Sequence, residues 1–321
     1  MAFIEGHIHF FFAVAVVLIG LLMRGTGRHF VSDGARLYLI NWYDKIAKNG
    51  ISEQVGNYNI PYQIIIYLMT KLPISALTAY KAVSCIFDFG IALLVCLYVW
   101  TVSKRKNIKN AILAFTFVFC SPIVIMNSAV WAQCDAIYAF FALAALFSMF
   151  KEKYVLSFVL WGISFAFKLQ AIYLLPFYLI YYLCRKPEFQ EAKVFWGIAI
   201  WSLYTCNFFL TNMHERYAYI LEIVAILYCF VTPMGIPLAV LLNLASVFTY
   251  ANYLFGYQAI PLNIVAFGGI FLYAAFSFWL FRSVLPGAEK ESRDIGYGRQ
   301  SMTIHRNREA KDAAFSDYSM L

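Results

Sequence analysis

Four groups of polar side chains interrupt an otherwise apolar chain, and each holds residue types that can do chemistry. The first is Asp33, a carboxylate that can act as a general base if it comes within about 3 Å of the hydroxyl it activates. The second lies within Met126 to Tyr138, where Asn127, Trp131, Gln133 and Asp135 fall between two apolar runs. Carboxylates in or beside membrane spans are costly and mark function. This group suits a sugar ring or a phosphate-bound cation. The third is Lys168 with Gln170; an ammonium there can neutralise a phosphate as a point charge. The fourth is His214, Glu215, Arg216 and Tyr217. Arg216 can reach phosphate oxygens through its forked donors, and His214 can do the same or orient a leaving group. The second histidine of a zinc HExxH helix is missing.

Taken singly, each group has an ordinary explanation. Asp33 and Asp135 can be helix-start carboxylates. Lys168 can be a lysine snorkelling at a helix end. Tyr217 belongs in an interfacial aromatic belt. The functional reading depends on all four lying on one side of a membrane.

The elements that must position them are apolar helices. Of 321 residues, 62% are hydrophobic and only 13% are charged, with a mean hydropathy of +0.69. Soluble domains are about a quarter charged, so an all-α, polytopic transmembrane bundle is expected. The net charge of +8 bears on membrane surfaces and topology; no basic block with interleaved aromatics suggests nucleic acid. The seven cysteines are scattered without a metal-ligand spacing.

About ten spans are expected. They are His7–Met23, Tyr80–Val102, Ala111–Met126, Ala136–Phe150, Tyr154–Phe167, Ala171–Cys184, Val194–Leu210, Tyr217–Val231, Leu238–Phe255 and Leu262–Phe281. The first lacks a basic n-region and a cleavage site and reads as a span rather than a signal peptide. Residues 24–73 form a long first loop. Within it, Ser32 to Ile46 has helical periodicity with Ser32 as cap and Asn49-Gly50 as stop. Tyr62 to Met69 is too short to cross and reads as interfacial or re-entrant. Lys81 and Asp88 share one helix face as a packing pair or cavity wall, and Glu222 is similar. Arg24, Arg28 and Lys71 are placed to attract anionic headgroups. Residues 1–284 make the membrane domain, and 285–321 read as a polar, flexible cytoplasmic tail.

With the amino terminus in the cytoplasm, the basic loops Lys104–Lys109, Lys151–Lys153 and Arg185–Lys193 fall inside, as the positive-inside rule asks. Asp33, Asp135, Lys168 with Gln170, and His214–Tyr217 then all fall outside. Arg24 and Arg28 argue the other way.

In these residues the chain resembles the GT-C superfamily of multispan glycosyltransferases. The nearest likeness is to the Gpi18-like (PIG-V-related) mannosyltransferases, with further likeness to the ALG6/ALG8 glucosyltransferases. Asp33 in Val-Ser-Asp-Gly matches their acidic residue in the first extracytoplasmic loop. Trp42, Gly50 and Tyr58 to Tyr62 match the aromatic helix, the glycine and the Tyr/Pro-rich stretch that follow. Trp131, Gln133 and Asp135 match a Trp-x-Gln-x-Asp element. Lys168, Gln170 and Pro176 match a Lys-x-Gln element followed by proline, and His214 to Tyr217 match His-Glu-Arg-Tyr. The interval between the last two elements is shorter here than in those families.

The resemblance implies an inverting hexosyltransferase of the bacterial cell membrane, or of the endoplasmic reticulum membrane in a eukaryote. It would move mannose or glucose from a polyprenyl- or dolichyl-phosphate donor to an extracytoplasmic glycan or glycolipid. Asp33 would be the base and Asp135 a second catalytic carboxylate. Trp131, Gln133, Lys168, Gln170, His214, Glu215, Arg216 and Tyr217 would line the donor site. Asp135 would either position sugar hydroxyls or help hold a divalent cation, Mg2+ or Mn2+. Two alternatives fit the same polar groups: a transporter or flippase for a lipid-linked sugar, and a non-catalytic subunit with partner proteins in polysaccharide assembly.

Overall fold

The computed structural model describes residues 7–52, 54–56, 58–102, 107–184, 191–211 and 213–284. Several expectations fall outside these residues: Lys104 to Lys106 of the densest basic loop, Arg185 and Lys186, Asn212, Glu53 and the tail 285–321. The described residues contain helices and no strand. The chain divides into two compact units, 1–276 and 277–321; the described part of the second is the end of the last helix.

Every apolar run forms a helix. In chain order these are α1 (Ile8–Thr26), α2 (Ile40–Asn49), α3 (Ile60–Met69), α4 (Ala76–Val102) and α5 (Ile108–Phe119). Then follow α6 (Pro122–Ile125), α7 (Asp135–Phe150), α8 (Tyr154–Phe167), α9 (Leu175–Cys184), α10 (Ala192–Phe209), α11 (Tyr219–Tyr228), α12 (Gly235–Phe255) and α13 (Leu262–Val284). Four are long and apolar enough to cross a membrane: α1, α4, α12 and α13, of 19, 27, 21 and 23 residues. A fifth crossing is possible through α5 and the segment Pro122–Val130, which meet at a bend of 45°. The helices at other expected spans are shorter; α7 and α8 have 16 and 14 residues, against about 20 for a full crossing.

The first loop folds as its residues ask. Helix begins at Asp33, passes through a π-helical turn at Ala35–Leu39 and continues as α2. The Ser32 hydroxyl accepts from the Ala35 N–H at 3.2 Å, satisfying one of the donors a helix start leaves free. Gly50, at φ +67°, ends α2. Tyr62 to Met69 lies within the ten-residue α3.

The polar groups sit where helices break. Pro122 restarts the chain after α5, as suits a residue with no N–H to donate. A π-helical turn, Met126–Val130, then leads to Ala132 at φ +63°. A left-handed non-glycine residue costs about 1–2 kcal/mol. This one turns the backbone so that the Gln133 N–H donates to the Asn127 carbonyl at 2.9 Å, and α7 starts at Asp135. Lys168 is extended (φ −154°, ψ 133°) between α8 and a 3-10 turn, Leu169–Leu174. His214 is extended before a second 3-10 turn, Glu215–Ala218, that feeds α11.

Lys81 and Asp88 are both buried and each holds a different neighbouring segment, and Arg24 does not face headgroups. Arg24 is 5% exposed and ion-pairs with Asp88 at 3.1 Å. Its Nη1 donates to the carbonyls of Phe119 and Gly20 at 2.8 and 3.1 Å. Asp88 also accepts from the Ser128 hydroxyl at 2.5 Å and the Tyr219 hydroxyl at 2.8 Å. The physical reason is burial: a carboxylate at 0% exposure must be paired, and α1 supplies the cation. Close approach allows it, since a Cβ on Gly20 would meet the Phe119 ring at 2.4 Å. Lys81 instead donates to the carbonyls of Gly27 and Phe30, both at 2.7 Å. The Gly27 carbonyl caps the end of α1, where a cation is favoured.

Candidate functional site

Asp135 is the centre of a buried cluster. It lies in the first turn of α7, where the positive end of the helix dipole favours a carboxylate. It is fully buried, and both its oxygens are engaged. Oδ1 accepts from the Lys168 ammonium. Oδ2 accepts from Asn127 Nδ2 at 3.0 Å and faces Arg216 Nε at 3.9 Å. Asn127 also donates to the Tyr250 hydroxyl of α12 at 3.3 Å. Lys168 is 8% exposed, so it does not snorkel; its extended backbone aims it inward.

Aromatic rings enclose the two cations. Lys168 Nζ lies 5.6 Å from the Tyr138 ring centroid and 5.7 Å from that of Tyr217. Arg216 Cζ lies 5.6 Å from Trp131 and 5.8 Å from Tyr217. Trp131 is buried and packs on Tyr250 and Tyr253, with centroids 5.2 and 4.7 Å away. Ring faces are negative and attract such cations. Burial pulls the Arg216 guanidinium down, but Asp135 together with Tyr58, Cys134 and Tyr217 outweighs it and holds Arg216 above the usual arginine range. Burial pushes the neighbouring Cys134 thiol up, against the Lys168 charge that lowers it.

Two cations therefore meet one carboxylate, a local surplus of positive charge. Several buried polar atoms nearby in sequence or space make no hydrogen bond: Asn127 Oδ1, Tyr138 Oη, Arg216 Nε and Glu215 Oε2. Unpaired buried polar atoms are costly, so this cluster is built to take a further polar group or water. A divalent cation at Asp135 would lie beside the Lys168 and Arg216 cations, which repel it. Among the described residues no group of three or more His, Cys, Asp or Glu converges.

The remaining expected site residues take different places. Gln133 is buried beside the cluster, and its carbonyl accepts from Ser84 at 2.6 Å. Gln170 and Glu215 are half-buried. His214 is exposed and meets the Tyr217 ring edge-on at 5.2 Å. Asp33 is exposed, and no hydrogen bond or ion pair joins it to Asp135. Its neighbour Ser32 does reach the cluster's loop, donating to the Trp131 carbonyl at 3.4 Å. The start of the first-loop helix is thus stitched to the turn that presents Asp135.

Asn127, Tyr250, Ser128 and Ser84 hold this turn in place, and Tyr250 and both serines carry no motif in the sequence. The one available signal was that a tyrosine inside a span needs a hydrogen-bond partner.

No family model, no curated protein and no solved structure matches the chain.

Proposed function

We propose that the protein is a GT-C-like membrane glycosyltransferase. It moves a hexose, mannose or glucose, from a polyprenyl- or dolichyl-phosphate to an extracytoplasmic glycan or glycolipid. The observation that carries this reading is the convergence of Lys168 and Arg216 on buried Asp135, beside the loop whose start holds Asp33. The full membrane path belongs to the same reading: about ten crossings, with the shorter helices completing the bundle around a site at membrane depth.

In the proposed reaction Asp33 takes the proton of the acceptor hydroxyl. The acceptor oxygen attacks the anomeric carbon from the side opposite the phosphate. The carbon–oxygen bond to phosphate breaks, its electron pair leaves on the phosphate, and the anomeric configuration inverts. Lys168 and Arg216 stabilise the charge that develops there, the kind of preorganised electrostatic help that dominates many enzymes. Asp135 and Asn127 act as positioning residues that hold the two cations. Asp33 suits a base because it is exposed and open to an incoming hydroxyl.

The test is a transfer assay with purified protein in lipid, supplied with polyprenyl-phosphate mannose and glucose. Asp33→Asn is expected to lower transfer by about 10²–10⁴-fold while leaving thermal unfolding unchanged, since Asp33 is exposed and unbonded. Transfer at the wild-type rate in that variant would remove Asp33 from the mechanism.

A further inference from the structure

A row of aromatic rings runs from the surface of the first loop to the Asp135 cluster. Tyr38 is 55% exposed and lies 5.8 Å from Trp42, centroid to centroid. Trp42, half-buried, meets Tyr58 edge-on at 5.4 Å. Tyr58 in turn packs on the core cluster that holds Cys134, the residue before Asp135. One row thus has one end open and the other at the charged site.

The Trp42 ring is fixed in place. Gly56 has φ +63°, and a Cβ there would meet three atoms of the indole six-membered ring at 2.3–2.7 Å. Only a glycine lets the indole settle this closely against the backbone, so the ring is held on one side and edged by Tyr58. A ring locked this way adds contact area to a ligand at little entropic cost. The helix that carries it also exposes Asn41, Asp44, Lys45 and Lys48. So polar a helix does not lie in hydrocarbon, which sets this row apart from an aromatic belt on an apolar span.

We infer that Tyr38, Trp42 and Tyr58 form a saccharide shelf, on which a sugar ring of the acceptor lies with its C–H face against the indole. This inference rests on the transfer reading for the word acceptor, but the shelf itself is a binding site for a pyranose ring. The ring faces carry negative charge density, which attracts the weakly positive axial C–H groups of such a ring. The edges of the sugar stay free for the polar side chains of α2. A sugar seated at Trp42 is guided along Tyr58 toward Arg216 and Asp135.

The experiment is saturation-transfer NMR on the full chain in lipid nanodiscs, with α-1,2-mannobiose as probe. The wild type is expected to transfer saturation to the ring C–H protons. Trp42→Ala should weaken binding about fivefold to tenfold, and Tyr38→Ala, at an exposed position that leaves the fold intact, should weaken it in the same direction. Equal signals in the wild type and both aromatic variants, or no sugar signal in the wild type, would overturn the shelf. A wild type that binds through Trp42 yet transfers no hexose would keep the shelf and end the transfer reading.

Discussion

Lys168 shows how much one side chain can depend on its surroundings. It is buried, its ammonium is taken by Asp135, and two aromatic rings face it. Removing one partner of a buried ion pair costs about 3–5 kcal/mol, because the other charge is left uncompensated. Lys168→Met leaves Asp135 with the more distant Arg216 as its one cation, so it is expected to destabilise the protein by less than that full amount, read from thermal unfolding in detergent. Adding Asp135→Asn to Lys168→Met should recover part of the loss, since the stranded carboxylate is gone; strictly additive losses would show that the two do not interact. The residue types were legible in the sequence: an aspartate, a lysine and an arginine at interruptions of apolar runs. Their pairing was not, because Lys168 and Arg216 reach Asp135 only through the way α7, α8 and the turn before α11 are packed. For the same reason a snorkelling lysine and a buried one look alike on paper.

At the scale of elements, the site is held by a second buried network. Arg24 of α1, Asp88 of α4, Ser128 of the π-helical turn and Tyr219 of α11 meet at one carboxylate. Ser128 follows Asn127, so this network anchors the turn that presents Asp135. Arg24→Met leaves Asp88 buried without a cation and should cost about 3–5 kcal/mol in thermal unfolding; a change within the scatter of the wild type would show that Ser128 and Tyr219 suffice. Most helices were readable, because apolar runs bounded by Gly50 or charged loops leave little choice; the break at Pro122, inside the expected span Ala111–Met126, was not. Ser32 as a cap and Gly50 as a stop follow from local chemistry alone. What local chemistry could not supply was the role of Arg24, placed next to a span end where headgroup attraction is the ordinary reading. Its partner lies in α4, and only the close packing of α1 on α5 at Gly20 brings it within reach.

For the whole molecule, the account makes the four polar groups one site on the outer face of a helical membrane protein. Three of them supply Asp135, Lys168 and Arg216 to one buried cluster, and the fourth, at Asp33, is tied to the cluster's loop through Ser32. An all-helical, apolar architecture was legible from composition. The number of crossings was not, because helices such as α7 and α8 are apolar enough to span and too short to do so unaided. The direct measurement is cysteine labelling in intact cells, in a Cys184→Ser background that removes the exposed native thiol. Asp33→Cys, His214→Cys and Lys151→Cys each place a thiol at an exposed position. The account expects a membrane-impermeant maleimide to label positions 33 and 214 from outside, and position 151 only after the cells are permeabilised. Labelling of 33 and 214 from opposite surfaces, or of either one only after permeabilisation, would contradict it.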